Sequence, residues 1–146
     1  MKTSIVTFLI TFCFYLSTYA QASQDKAAEL KEQALSSLKQ KDYIKARYLF
    51  KKAYEAFAAR ENYPQAIECG IQANALYVRE NFYKEGFELC RDMEQFIWTG
   101  EQKQKKVFYD LRFPISKERL QMYIALKNPA QAKNQLDKLE EMAKLA

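Results

Sequence analysis

From Leu30 onward, apolar residues return every three or four positions rather than every second one. Tyr43, Ala46, Phe50, Ala53 and Phe57 form one such series, and Tyr83, Gly86, Phe87, Cys90, Met93 and Ile97 form another. Ala132, Leu136, Leu139 and Ala143 repeat the spacing near the end of the chain. Steps of three and four put side chains on one stripe of an α-helix, so each series predicts an amphipathic helix. Partner segments lie between them, carrying Leu30, Ala34 and Leu38, then Ile67, Ile71, Asn74 and Tyr77, then Leu120, Tyr123 and Ile124. Strand evidence is nearly absent: after residue 22 the β-branched residues Val and Thr occur only at Val78, Val107 and Thr99. The pattern predicts an all-α chain of six helices in three antiparallel pairs.

Local chemistry sets the expected boundaries. Asp42 caps the helix that starts at Tyr43 by accepting a bond from a free backbone amide. Pro64 suits the first turn of the third helix, where a missing N–H costs nothing. Asn81 tolerates the left-handed conformation needed between the third and fourth helices. Gly100 is expected to end the fourth, and Pro129 to open the last. A proline inside a helix removes a hydrogen bond and bends the axis, so Pro114 predicts a kink or break, with Ser116 capping the renewed helix.

The first 22 residues read differently. Lys2, an apolar run from Ile5 to Leu16, and Ala20-Gln21-Ala22 are the basic, apolar and small-residue parts of an export signal. The run falls short of the roughly 20 apolar residues that cross a bilayer, so it is read as a cleaved signal peptide over residues 1–22, with cleavage after Ala20 as the alternative. A membrane association is expected only if this segment stays uncleaved or an anchor follows downstream. The mature domain is then 23–146, with a periplasmic or secreted destination. Cleavage removes Lys2 alone among charged residues, lowering the formal charge from +5 to +4. That mild excess and the exported destination argue against nucleic acid as a partner. The basic stretch Lys103, Lys105, Lys106, Arg112, Lys117 and Arg119 reads as a solvated helix face. Cys69 and Cys90 remain after cleavage; an oxidising compartment permits a disulfide, but the favoured reading is two small buried thiols.

Composition removes several chemistries. The chain has no histidine and only three glycines. A histidine-based triad, a histidine-containing zinc site and a glycine-rich phosphate loop are thereby excluded. Two cysteines are too few for a tetrahedral metal site, so neither metal nor cofactor is expected. The glutamates Glu29, Glu32, Glu55, Glu85, Glu88, Glu140 and Glu141 lie on helices already explained by packing. No catalytic residues are assigned, and a small secreted helical enzyme is the least favoured reading.

The second helix of each pair follows one scheme. A turn is followed by a bulky or rigid residue, a small residue three later, and apolar residues four and seven beyond that. Tyr43, Ala46, Phe50 and Ala53 fit it, as do Tyr83, Gly86, Cys90 and Met93, and Pro129, Ala132, Leu136 and Leu139. On these residues the chain resembles the tetratricopeptide repeat (TPR) family. Ala34, Tyr43, Ala46, Phe50 and Ala53 match its signature positions in unit 27–60. Unit 67–100 keeps Tyr77 and Tyr83 but has Gly86 and Cys90, and unit 101–146 keeps Tyr123 and Ala132 but has Leu136. The family's early Trp and Leu and its final proline are missing. The small positions lie 40 and then 46 residues apart, against roughly 34 in the family, which implies longer helices.

The resemblance implies a right-handed α-solenoid of about three helix pairs whose first helices line a concave groove. The matching positions are Lys31, Leu35, Leu38, Lys39, Ile71, Asn74, Ala75, Val78 and Arg79. A groove bearing Lys and Arg beside apolar side chains suits a protein or peptide partner with acidic groups. The two-Lys, two-Asn carboxylate clamp of some family members does not align. The expected function is a non-catalytic exported scaffold that binds such a partner. The alternative is the sensor portion of a membrane-bound regulator whose downstream part is missing, since Leu145 and Ala146 follow an apolar-striped helix with no polar capping repeat. Tyr77, Phe82, Phe87, Phe96, Trp98, Phe108, Tyr109 and Phe113 make the middle of the chain aromatic. Most are expected in the core, with Trp98 the one expected at the surface.

Overall fold

The computed structural model describes residues 26–145, so the export segment at 1–22 lies outside the described residues. Among the described residues every regular element is a helix: α1 over 26–39, α2 Tyr43–Ala58, α3 Tyr63–Arg79, α4 Tyr83–Gln104, α5 Tyr109–Ala125 and α6 Pro129–Leu145. The all-α class follows, as the spacing of apolar residues predicts.

One turn design joins most of the helices. Lys41, Glu61, Asn81, Lys105 and Lys127 all take left-handed backbone conformations, with φ between 51° and 63°. In four of these turns the next residue's amide (Asp42, Asn62, Phe82 or Asn128) donates back to Ser37, Phe57, Tyr77 or Tyr123 at 2.9 to 3.1 Å. The left-handed residue itself donates to Leu38, Ala58, Val78 or Ile124. This pair of bonds is the Schellman motif, which satisfies carbonyls left free at a helix end. The residue that closes one helix also opens its successor. The Asp42, Asn62 and Asn128 side chains accept the amides of Lys45, Gln65 and Gln131 at 3.2, 3.4 and 3.2 Å. Connections this short send each helix back along the one before it.

Four residues past each of these closing residues stands a small one. Ala46, Ala66 and Gly86 are buried, spaced twenty residues apart, and Ala132 is half-buried. A methyl on Gly86 would come 2.8 Å from Met122 Sδ and 3.1 Å from Asn74 Oδ1, so α4 starts hard against both α3 and α5. The core between the helices is filled by Phe50, Ile67, Met93, Ile97, Ile115 and Met122, all essentially inaccessible to water. Tyr63 stacks on Phe96 at 4.6 Å and tilts against Phe108 at 5.2 Å, joining α3, α4 and the turn before α5. Successive helices from α2 to α6 pack on one another, and α3 also packs directly on α5.

Several expected boundaries move. The third helix begins at Tyr63 with Pro64 in its first turn, as expected, so the second unit starts a few residues before 67. Gly100 does not end α4; the helix continues to Gln104, and the glycine lies inside it because the Tyr63 ring fills the space a side chain would need. The break expected at Pro114 falls at 105–108 instead. Pro114 sits in the second turn of a continuous α5, and Ser116 is buried in mid-helix rather than capping a new one. The inward face of α6 is Ala132, Gln135, Leu139 and Met142; Leu136, read as a packing residue, is 45% exposed, and Ala143 is exposed as well. Neighbouring stripes on a helix differ by one residue: Ala132 and Leu139 of the apolar stripe are covered, while Gln135 and Met142 take the inward places expected for Leu136 and Ala143. In α5 the buried face is Ile115, Ser116, Glu118 and Met122, while Ile124 points outward.

Two substitutions test this account by denaturant unfolding. Gly100→Ala should lower stability by about 1–3 kcal/mol through overpacking against Tyr63, although alanine favours an exposed helix by about 1 kcal/mol. Lys127→Gly should raise stability by about 0.5–1 kcal/mol, because glycine relieves the left-handed backbone. A stabilising Gly100→Ala would mean that the ring and helix do not meet as described.

Candidate functional site

The groove residues divide sharply once folded. Lys39, Ala75 and Arg79 are exposed, and Leu35 and Ile71 are half-buried against the core. Lys31 is already engaged: its ammonium donates to Gln65 Oε1 at 2.9 Å and pairs with Glu68 at 2.7 Å, bracing α1 against α3. The Arg79 guanidinium lies 3.9 Å from the centre of the Tyr43 ring, an orientation that stabilises the cation and leaves its edge open to solvent. Asn74 is fully buried, so it is a core residue and not part of a groove surface. A polar residue on an apolar stripe gives no sign of which way the neighbouring helix will cover it.

Asn74 instead meets a partner the sequence did not pair with it. Its Nδ2 donates to Glu118 Oε2 of α5 at 2.9 Å, and its Oδ1 is buried without a hydrogen bond. Burial pushes the Glu118 carboxyl above its ordinary range, with the Asn74 amide and Lys117 pulling the other way.

A second polar centre holds the turn before α5. Arg112 occupies the place, four after Phe108, where α2, α3, α4 and α6 carry a small residue. The guanidinium bonds to Glu101 through Nε at 2.8 Å and through Nη2, while the Phe108 amide donates to the same carboxylate at 2.7 Å. Glu101 is buried, and the hydrogen bonds from Arg112 hold its carboxyl below the usual range despite the burial. Arg112 is thus structural, and Arg119 bonds to Glu94 at 3.0 Å, so two members of the basic stretch face inward rather than forming a solvated face.

The remaining candidates have no reactive geometry. Cys69 and Cys90 are free and buried, and burial pushes their thiols up to about 11 and about 12, which keeps both protonated and weakly nucleophilic. Among the described residues no three His, Cys, Asp or Glu side chains converge as a metal site would need, and no helix is long and apolar enough to cross a membrane. Trp98 is 52% exposed, as expected, and Phe82 and Phe113 join it at the surface. Compared with protein families, curated proteins and solved structures, the chain matches none.

Both polar centres give pH-dependent outcomes. Glu118→Gln should raise the melting temperature at pH 7, since the amide keeps the Asn74 bond and removes a buried charge. The gain should shrink as pH falls through the raised Glu118 value toward the ordinary 4.5, because the wild-type carboxyl then becomes neutral in the folded state. Glu101→Gln should cost about 1–3 kcal/mol at neutral pH. The stabilisation from Glu101 is present above its ordinary 4.5 and is lost as pH falls through its lowered folded value. Thermal melts across this range measure both signs.

Proposed function

We propose that the protein is a non-catalytic, exported scaffold of stacked helix pairs that binds a protein or peptide along its first helices. One observation carries the reading: α3 touches the first helix of the pair on either side. Lys31 of α1 reaches Glu68, and Asn74 reaches Glu118 of α5. First helices lying side by side, with second helices between successive pairs, is the arrangement a TPR-type solenoid requires. The small residues Ala46, Gly86 and Ala132 on inward faces fit the same scheme.

The binding face comprises the exposed residues of α1, α3 and α5. Lys39, Ala75 and Arg79 stay accessible there, and Lys117 of α5 extends the set. Lys31 and Asn74 leave the list of direct contacts because their polar groups are occupied within the fold. Three cations beside small and half-buried apolar groups favour an extended segment carrying carboxylates. An export signal would deliver this face outside the cytoplasm, where the protonated buried thiols resist oxidation.

Fluorescence polarisation of labelled acidic and neutral peptides against the mature chain tests the proposal. The Lys39→Glu/Arg79→Glu double variant should bind the acidic peptide roughly tenfold or more weakly, since reversed charges repel it, with circular dichroism unchanged. Equal binding by wild type and variant would remove the face from consideration.

A further inference from the structure

A concavity lies away from that face. Helices α4, α5 and α6 enclose an open cleft of about 500 Å³, a size typical of sites for small molecules. Each helix gives one stripe to it; on α4 this stripe is Arg91, Glu94 and Trp98, three and four residues apart. Ser116 and Gln135 form part of the lining and are more than nine-tenths buried, so polar groups sit deep rather than only at the rim.

The walls change character along the cleft. Toward the C-terminal ends of α4 and α6 they carry Trp98, Met142 and Leu145, with Glu141 and the Glu101-paired Arg112 beside them. Nearer the middles of those helices they are cationic, with Arg91, Arg119 and Lys138. Four cationic side chains line the cleft against the carboxylates Glu94 and Glu141. Arg112 is committed to Glu101, and Arg119 shares Glu94. Arg91 approaches only Asp92, at 4.0 Å, and Lys138 has no ion pair within that distance among the described residues. Arg119 is half-buried, with Nη2 3.0 Å from Glu94, and it stands beside Arg91 and Lys138 on the cationic part of the wall.

We infer that this cleft binds a small amphiphilic carboxylate, its oxygens held by Arg119, Arg91 and Lys138 and its aromatic or aliphatic body against Trp98 and Met142. Charge-assisted bonds to a guanidinium are among the stronger protein hydrogen bonds, and covering a half-exposed indole adds apolar burial. The shared chemistry is a carboxylate next to an apolar group, available either as a free acid or as the C-terminus of a peptide. The inference is independent of the proposed binding face, because none of its residues belongs to that face.

Trp98 is the chain's one tryptophan, so its emission reports directly on the cleft. Titration with 4-phenylbutyrate should change that emission saturably, and the neutral 4-phenylbutyramide should bind at least tenfold more weakly. A short peptide ending in free phenylalanine, run beside its amidated form, distinguishes the two sources: discrimination by the peptide pair alone assigns the site to a chain terminus. Arg119→Gln should weaken the acid at least tenfold. The Arg91→Gln/Lys138→Gln double variant should do the same, and its exposed positions leave the fold intact if Arg119→Gln perturbs it. Equal titration by acid and amide in both pairs, no saturable change with either carboxylate source, or full affinity in the double variant would overturn the assignment.

Discussion

Close approach at the helix starts is the constraint on which the layout depends. Ala46, Ala66, Gly86 and Ala132 occupy the same register, four residues past the residue that opens each helix. Larger side chains there would hold the first turns apart and open gaps beside Phe50, Met93 and Met122, which fill the space between the helices. Dispersion contacts are lost quickly with distance, so a core this thin depends on helices meeting at small residues. The Schellman turns make the register possible, because one residue ends a helix and its neighbour begins the next within three or four positions. That four of these turns use Lys, Glu or Asn at the left-handed position shows that the hydrogen bonds and helix packing outweigh the backbone strain of about 1–2 kcal/mol.

Helix α5 departs from this rule, and its departure explains the polar interior around it. Arg112 stands where a small residue would be, so α5 cannot start against its neighbour in the same way. The preceding turn lengthens, α4 continues past Gly100, and Glu101 turns inward to receive both the guanidinium and the Phe108 amide. Further along, α5 buries Glu118 against Asn74. The third pair is therefore attached through bonded polar groups as well as apolar contact. Such attachment is directional: it specifies one placement of α5, whereas an apolar seam tolerates sliding.

Burial also decides which charges are free to meet a ligand. Lys31, Arg112 and Glu101 are consumed in holding helices together, and Asn74 is sealed from water. Lys39, Arg79 and Lys117 on one side, and Arg91 and Lys138 on another, retain their hydration and their unsatisfied charge. The molecule thus presents two basic surfaces of different shape. One is the exposed side of α1, α3 and α5, which the proposed function gives to an extended chain. The other is a cleft between α4, α5 and α6 where Trp98 and Met142 stand among the charges.

The helices, their number and most of their ends were legible in the residue pattern. A three-and-four spacing has one simple solution, and Asp42, Pro64, Asn81 and Pro129 act within a few residues of themselves, which is local physics. The twenty-residue recurrence of Ala46, Ala66 and Gly86 is also written in the sequence, at half the spacing between Ala46 and Gly86. Other features were not local. Gly100 carries no mark of the Tyr63 ring that fills its place, and Asn74 looks the same whether it faces a groove or a carboxylate. In α6, Gln135 turns inward while Leu136 stays at the surface, a choice made by the position of α5. The chain by itself settled where helices begin and which residues can pack; the packed structure alone decided which polar groups are spent inside and which remain for binding, because burial and pairing depend on neighbours distant in sequence.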